Sequence, residues 1–347
     1  MYSFKNDYSE GAHPSILEAL TATNLEQSEG YGEDVYSQQA ISQLKKRLGR
    51  DDAAIHFLTG GTQVNLTAIS AFLRPHEAAI AAKSGHINVH ETGAIEATGH
   101  KVVIAPSDDG GKLTPADIRK VLEIHEDEHM VKPKLVYISD TTEVGAIYKK
   151  KELEALHDFC TAHHLLLYLD GARLGSALTA KGNDLRLSDL PQLTDAFYIG
   201  GTKNGALLGE ALVIVNPDLK EDFRYMIKQK GAMLAKGRLI GIQFLELFRD
   251  SLYFDLAAHA NHMAEKLCNG IEKAGFSFLT QSPSNQIFPI FPNALIDELR
   301  KNYAFYIWSK IDEDQSSVRL VTSWATKEEA VDAFLKDVDK YVKDVNQ

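Results

Sequence analysis

Cysteine is nearly missing: Cys160 and Cys268 are the two in 347 residues, too few and too far apart for a disulfide framework. A core must hold this chain together, and a reducing compartment, the cytoplasm, is the expected setting. Long apolar runs are missing too. None approaches the length of a membrane span, and the opening Met1-Tyr2-Ser3-Phe4-Lys5-Asn6-Asp7-Tyr8 lacks the apolar stretch of a signal peptide. Basic residues are in deficit, 37 Lys and Arg against 48 Asp and Glu, for a net charge of -11. Nucleic acid and anionic membranes select basic faces, so neither is the expected partner; a small molecule is. No internal repeat or low-complexity tract occurs. No G-x-G-x-x-G follows a strand, and Gly110-Gly111-Lys112-Leu113 lacks the Ser or Thr that follows the lysine of a Walker loop.

What is present is a chain 44% hydrophobic, enough for one large core and a smaller satellite. Pro14 to Ala22 and Val35 to Leu48 read as helices, the second closed by Gly49. A strand, turn and helix alternation follows. Strands are predicted at Ala53 to Leu58, Ala78 to Ala82, Lys101 to Ala105, Leu135 to Ser139, Leu165 to Leu169, Ala196 to Ile199 and Ala211 to Val215. Helices are predicted after the Gly60-Gly61-Thr62 turn as far as Phe72, from Glu91 to Ala97, at Thr114-Pro115-Ala116-Asp117 with its N-cap and first-turn proline, and from Lys151 to His163. Such alternation gives a mainly parallel, doubly wound α/β sheet with helices on both faces. Beyond Asn216 the texture changes. A helical stretch from Leu219 to Phe248, interrupted at Gly231, and a helix from Phe254 to Ala274 precede strands at Phe276 to Thr280, Ala304 to Ile307 and Val318 to Thr322. Helices at Ala294 to Asn302 and Lys327 to Val342 complete a smaller α+β unit. The expected domains are residues 14–250 and 251–347, with 1–13 packing near the second.

Two stretches organise the chemistry: Leu167-Tyr168-Leu169-Asp170-Gly171-Ala172-Arg173 and Phe197-Tyr198-Ile199-Gly200-Gly201-Thr202-Lys203. Each is an apolar run ending in glycine beside a charged residue, so an acid and an amine sit at the carboxyl ends of two strands, where open α/β sheets build sites. A desolvated lysine after two glycines is a nucleophilic amine able to form a Schiff base, and a buried aspartate can hold a pyridinium nitrogen protonated. Pyridoxal phosphate (PLP) chemistry needs both groups. Locally, Arg173 as a simple ion-pair partner of Asp170 remains open. Gly60-Gly61-Thr62-Gln63, between a strand and a helix, suits a phosphate ester at a helix N-terminus, or is a turn capped by Thr62. His86, just beyond the next strand, either stacks on an aromatic cofactor or caps the helix after it. Two spellings are set aside. His125-Glu126-Asp127-Glu128-His129 matches a zinc motif with both histidines on one helix face but has no apolar flank. Asn65-Leu66-Thr67 is a glycosylation sequon inside a predicted helix.

The phosphate turn, the histidine loop, Asp170-Gly171-Ala172-Arg173-Leu174 and Lys203, in that order and spacing, resemble the threonine aldolase and β-eliminating lyase family of fold-type-I PLP enzymes. The similarity runs from Asn6-Asp7 to Arg319-Leu320-Val321-Thr322. It implies Lys203 as the Schiff-base lysine, Asp170 on the pyridine nitrogen, His86 on the ring, and Gly61, Thr62 and Gln63, with Thr202 nearby, at the phosphate. Arg319 would receive the substrate α-carboxylate, assisted by Arg173 and Asn6. The implied reaction is retro-aldol cleavage of a β-hydroxy-α-amino acid, threonine or allo-threonine, to glycine and an aldehyde, in a homodimer or homotetramer. The alternatives are β-elimination or transamination of a small amino acid, or a non-catalytic PLP-binding protein. The chain departs from the family in three places. Asp140-Thr141-Thr142-Glu143 stands where many members carry a histidine in E-N-T-H, so Glu143 either replaces that histidine near the substrate hydroxyl or marks a different β-substituent. Asn6 stands for a serine, and the arginine that crosses to a neighbouring subunit is matched by Lys236 or Arg238. Tyr31-Gly32 resembles the loop that reaches that neighbour.

Overall fold

Strands buried along both faces account for the architecture, and the computed structural model describes residues 1–107 and 110–345. Glu77–Ala82, Leu166–Asp170, Ala196–Gly200 and Glu210–Ile214 are buried at every position. Their side chains still alternate. Val136, Ile138, Leu167, Leu169, Phe197 and Ile199 enter one apolar cluster, and Leu135, Tyr137, Leu166, Tyr168, Ala196 and Tyr198 enter another on the opposite face. Apolar side chains on both sides of the pleat make the runs look continuous in sequence.

The seven-stranded sheet has the order Ala54–Leu58, Glu210–Ile214, Ala196–Gly200, Leu166–Asp170, Lys132–Ser139, Glu77–Ala82, Val102–Ala105. Strand pairs are parallel except at Glu210–Ile214, which runs antiparallel to both its neighbours. The connection from Gly201 to Gly209 is too short for a crossover helix, so the chain can only return as a hairpin. The sheet is thus mainly parallel, as predicted.

Local signals place the helices. Thr114 and Asp117 form a reciprocal capping box before Pro115–Ile124, and Gly49 closes Val35–Leu48 in the left-handed conformation at φ 62°. Four predicted elements differ, the first being Ala304 to Ile307, which divides between the strands Tyr303–Ala304 and Tyr306–Lys310 of two sheets. Instead of a helix from Glu91 to Ala97, a four-residue helix His86–Val89 is followed by a 3-10 turn at Glu96–Thr98, because Glu91 is drawn inward by polar partners. The stretch from Leu219 to Phe248 is two helices, Phe223–Gln229 and Arg238–Arg249, with Gly231 at φ +69° between them. Phe276 to Thr280 forms only an isolated bridge, Phe278 with Pro289, rather than a strand.

A third apolar cluster joins Phe4, Met263, Leu267, Phe291, Val318, Leu320 and Phe334. It packs between the helices Leu252–Lys273 and Glu328–Val345 and the antiparallel strands Ile290–Pro292, Gln315–Val321 and Tyr306–Lys310. The first residues belong here: Tyr2–Ser3 pairs in parallel with Tyr303–Ala304. That anchor fixes where residues 5–10 cross the molecule. Among the described residues no helix is long and apolar enough to cross a membrane.

Candidate active site

Two glycines bring the organising stretches together. A Cβ on Gly171 would lie 1.8 Å from the Tyr198 carbonyl oxygen, and one on Gly200 would lie 2.5 Å from that of Ala172. Only glycine permits this approach, and the Gly200 N–H donates to the Gly171 carbonyl at 3.0 Å. Asp170 and Lys203 consequently line one cleft of about 700 Å³, together with Gly61, Thr62, His86 and Arg319.

Asp170 is held by four donors. Tyr198 Oη and the Ala172 N–H donate to Oδ1 at 2.5 and 3.0 Å; Tyr137 Oη and Asn65 Nδ2 donate to Oδ2 at 2.5 and 3.0 Å. Burial would raise its pKa, but the His86 charge and these donors outweigh it and hold the carboxyl below the usual range. Arg173 is not its partner. It forms a bidentate pair with Asp7 at 2.7 and 3.0 Å, and Asn285 Nδ2 adds a 2.9 Å bond to Asp7.

His86 begins its short helix, and its Nδ1 lies 2.8 Å from Glu91 Oε1. The same oxygen accepts from Asn65 Nδ2 at 2.8 Å, and Asn65 Oδ1 accepts from Tyr168 Oη at 3.0 Å. Asn65, fully buried, therefore ties the histidine's carboxylate to Asp170 and is no glycosylation acceptor. Glu143 Oε1 accepts from the His86 N–H at 2.9 Å and Ser139 Oγ at 2.8 Å, and burial raises its pKa.

The helix Gly61–Phe72 starts at Gly60, which has no side chain to cap it, so the first-turn N–H groups are left for a ligand at the positive end of the helix. Gly61 and Thr62 line the cleft. The Gln63 side chain turns away instead, its Oε1 accepting from Thr59 N–H at 3.2 Å and Thr59 Oγ1 at 2.5 Å. Thr202 Oγ1 accepts from the Gly209 N–H at 3.0 Å. Burial, and next the Arg173 charge, lower the Lys203 pKa toward the free amine. Glu210, a cleft residue the sequence did not single out, accepts from the Gly201 N–H at 3.0 Å, and burial pushes its carboxyl up to about 8. Arg319 donates to the Lys5 carbonyl at 3.3 Å and lies 5.9 and 5.5 Å from the ring centroids of Tyr306 and Trp308.

Asn6, like the Gln63 side chain, is kept out of this group by the fold: its Oδ1 accepts from Tyr8 N–H at 3.0 Å and Ser9 Oγ at 2.9 Å. Asp7, one residue on, is the inward side chain. Arg238 is engaged within its own chain by the carbonyls of Glu26 and Asn24, at 2.8 and 3.1 Å, whereas Lys236 is exposed. The zinc-like spelling dissolves as well. The helix ends at Ile124 with His125 as its C-cap, so His125 and His129 share no helix face, and no metal-ligating cluster occurs among the described residues.

Asp7 gives a stability prediction. Burial raises its pKa, but Arg173 and, less closely, Lys203 outweigh burial and depress it below the ordinary 3.8. A depressed carboxyl contributes stability that is complete above its unfolded pKa and lost as pH falls through the folded one. Asp7→Asn leaves the Arg173 charge buried without its partner, at a cost of about 3 kcal/mol. Urea titrations should show that deficit at neutral pH and a shrinking one below pH about 4.

The family model for β-eliminating lyases matches residues 6–316. A low specificity L-threonine aldolase of Pseudomonas sp. (strain NCIMB 10558) is 32% identical over 339 residues, 96% of each chain, and that of Pseudomonas aeruginosa is 30% identical with the same coverage. A solved threonine aldolase of Leishmania major is 50% identical and superposes with a TM-score of 0.97 over 99% of this chain and 100% of its own. An aspartate aminotransferase of Thermus thermophilus, 15% identical with a TM-score of 0.73, shares the fold.

Proposed function

This chain belongs to the β-eliminating lyase family, a PLP-dependent lyase that cleaves threonine to glycine and an aldehyde, and we propose that Lys203, Asp170, His86, Glu143 and Arg319 carry that reaction. The observation that supports these roles best is the shared cleft of Lys203 and Asp170, which the uncapped helix start at Gly61 also lines. A phosphorylated pyridine aldehyde fits that donor set.

When bound, PLP supplies an aldehyde that exchanges amines and a ring that draws electrons from Cα. Lys203 would hold it covalently and release it to the incoming amino group, a task suited to an amine whose pKa is lowered. Asp170, kept anionic by its donors, would face the pyridine nitrogen and keep it protonated. His86, fixed through Glu91, would cover the ring, and the backbone N–H groups of Gly61, Thr62 and Gln63, with Thr202, would receive the phosphate. Arg319 would bind the α-carboxylate; with Arg173 engaged by Asp7, Arg173 helps as a fixed positive charge. By holding the carboxylate in one place, Arg319 would favour cleavage over decarboxylation. Glu143 would take the proton from the β-hydroxyl oxygen as Cα–Cβ breaks, and a proton delivered at Cα completes glycine. Burial raises the pKa of Glu143 above the usual carboxylate value, which makes it a stronger base than an exposed glutamate.

We assign residues 14–250 to the cofactor-binding domain and 251–347, with 1–13 beside it, to the smaller one; the separate apolar cluster around Phe291 and Phe334 supports this. A cytoplasmic homodimer or homotetramer follows by the family likeness, with Lys236, rather than the engaged Arg238, available to a neighbouring subunit. Product analysis tests the reaction: threonine or allo-threonine should give equimolar glycine and acetaldehyde, while ammonia and a keto acid would identify elimination instead.

A further inference from the structure

Gln286 is fully buried, yet neither its amide nitrogen nor its amide oxygen has a hydrogen-bond partner among the described residues. Native interiors rarely leave a whole amide unpaired, and an exception calls for a reason. This one lines the cleft of Lys203 and Arg319.

The strand register gives its direction. Gln286 pairs with Val321 and Ile287 with Leu320. Ile287 and Leu320 enter the third apolar cluster, so Gln286 and Val321 face the other way, as does Arg319 two residues before Val321. Arg319 Nε is likewise buried without a partner. Unsatisfied donors from Gln286 and Arg319 therefore occupy neighbouring rows of one sheet face, just beneath the lining of one cavity. Asp7 cannot satisfy them, since Arg173 and Asn285 already engage its oxygens. A ligand that pairs with both must present two acceptor oxygens in a plane, which describes a carboxylate.

We propose that Gln286 is a substrate-binding residue that holds, together with Arg319, the α-carboxylate of the amino acid. The inference rests on the amino-acid-cleaving reading above and adds to it a second donor for the substrate. Glycine carries the carboxylate but no β-substituent, so it isolates this contact.

The test uses PLP-loaded wild type, Gln286→Met and Gln286→Glu. The KM for L-threonine and the Kd for glycine, by calorimetry, are measured beside cofactor absorbance and thermal midpoint. Gln286→Met keeps the volume and removes both polar atoms. It should raise KM and the glycine Kd together by about 10-fold or more, with cofactor occupancy and thermal midpoint maintained. Gln286→Glu sets like charge against like and should weaken glycine further at neutral pH, with recovery as pH falls and the new carboxyl protonates. Unchanged glycine affinity in Gln286→Met, or a loss confined to threonine, overturns the proposal. A wild type that binds neither threonine nor glycine would refute the amino-acid-cleaving reading instead.

Discussion

Lys203→Ala should lower threonine cleavage by at least about 10³-fold, the loss expected when a covalent nucleophile is removed. It should also abolish retention of PLP after borohydride reduction. Mass spectrometry of the reduced wild type should place the added mass on the peptide that contains Lys203. Folding should be little affected, because Asp7 is already paired with Arg173 and burial disfavours the charge on this amine. Removing it relieves desolvation rather than breaking a bond. A variant that still carried reducible PLP would move the covalent site elsewhere.

Asp170→Ala should cost both stability and chemistry. Four donors converge on this carboxylate, and its loss leaves Tyr137, Tyr198 and Asn65 with a polar void between them. Hydroxyls can turn to other acceptors, so the full penalty of each orphan does not add; about 3 kcal/mol in urea unfolding is the expected deficit. Turnover should fall by about 10³-fold, because among the described residues that line the cleft no other carboxylate is held below the usual pKa range to face a ring nitrogen. Glu210 and Glu143 are no substitutes, since burial raises the pKa of both. Steady-state rates with saturating PLP, beside denaturation of the apoprotein, separate the two effects. Wild-type rates in Asp170→Ala would remove Asp170 from the reaction.

The same carboxylate shows how much could be read in advance. Asp170 was legible as a charged end to a buried strand, whereas its partners were not. Tyr137, Tyr168 and Tyr198 look like apolar filler in their runs, yet with a period of two and the register Tyr137 to Tyr168 and Ser139 to Asp170, the tyrosines share the Asp170 face. A register is a property of two strands, and no single stretch encodes it. Asn65, spelled as a sequon, joins that network because its helix packs across the same face. Glu91 seemed a helix-starting acid; its attraction to Asn65 and the His86 ring outweighed the weak local preference for a longer helix.

The amino-acid sequence alone determined the alternation of strands and helices, the acid and amine at two strand ends, the phosphate turn and the family, because periodicity, glycine punctuation and motif order are local in the chain. Tertiary structure alone decided who partners whom: Asp7 rather than Asp170 for Arg173, Tyr137 and Tyr198 for Asp170, and an unpaired Gln286 beside Arg319. Those choices belong to contacts between segments tens to hundreds of residues apart, fixed by sheet register and by the energetic demand that a buried charge find its counterpart.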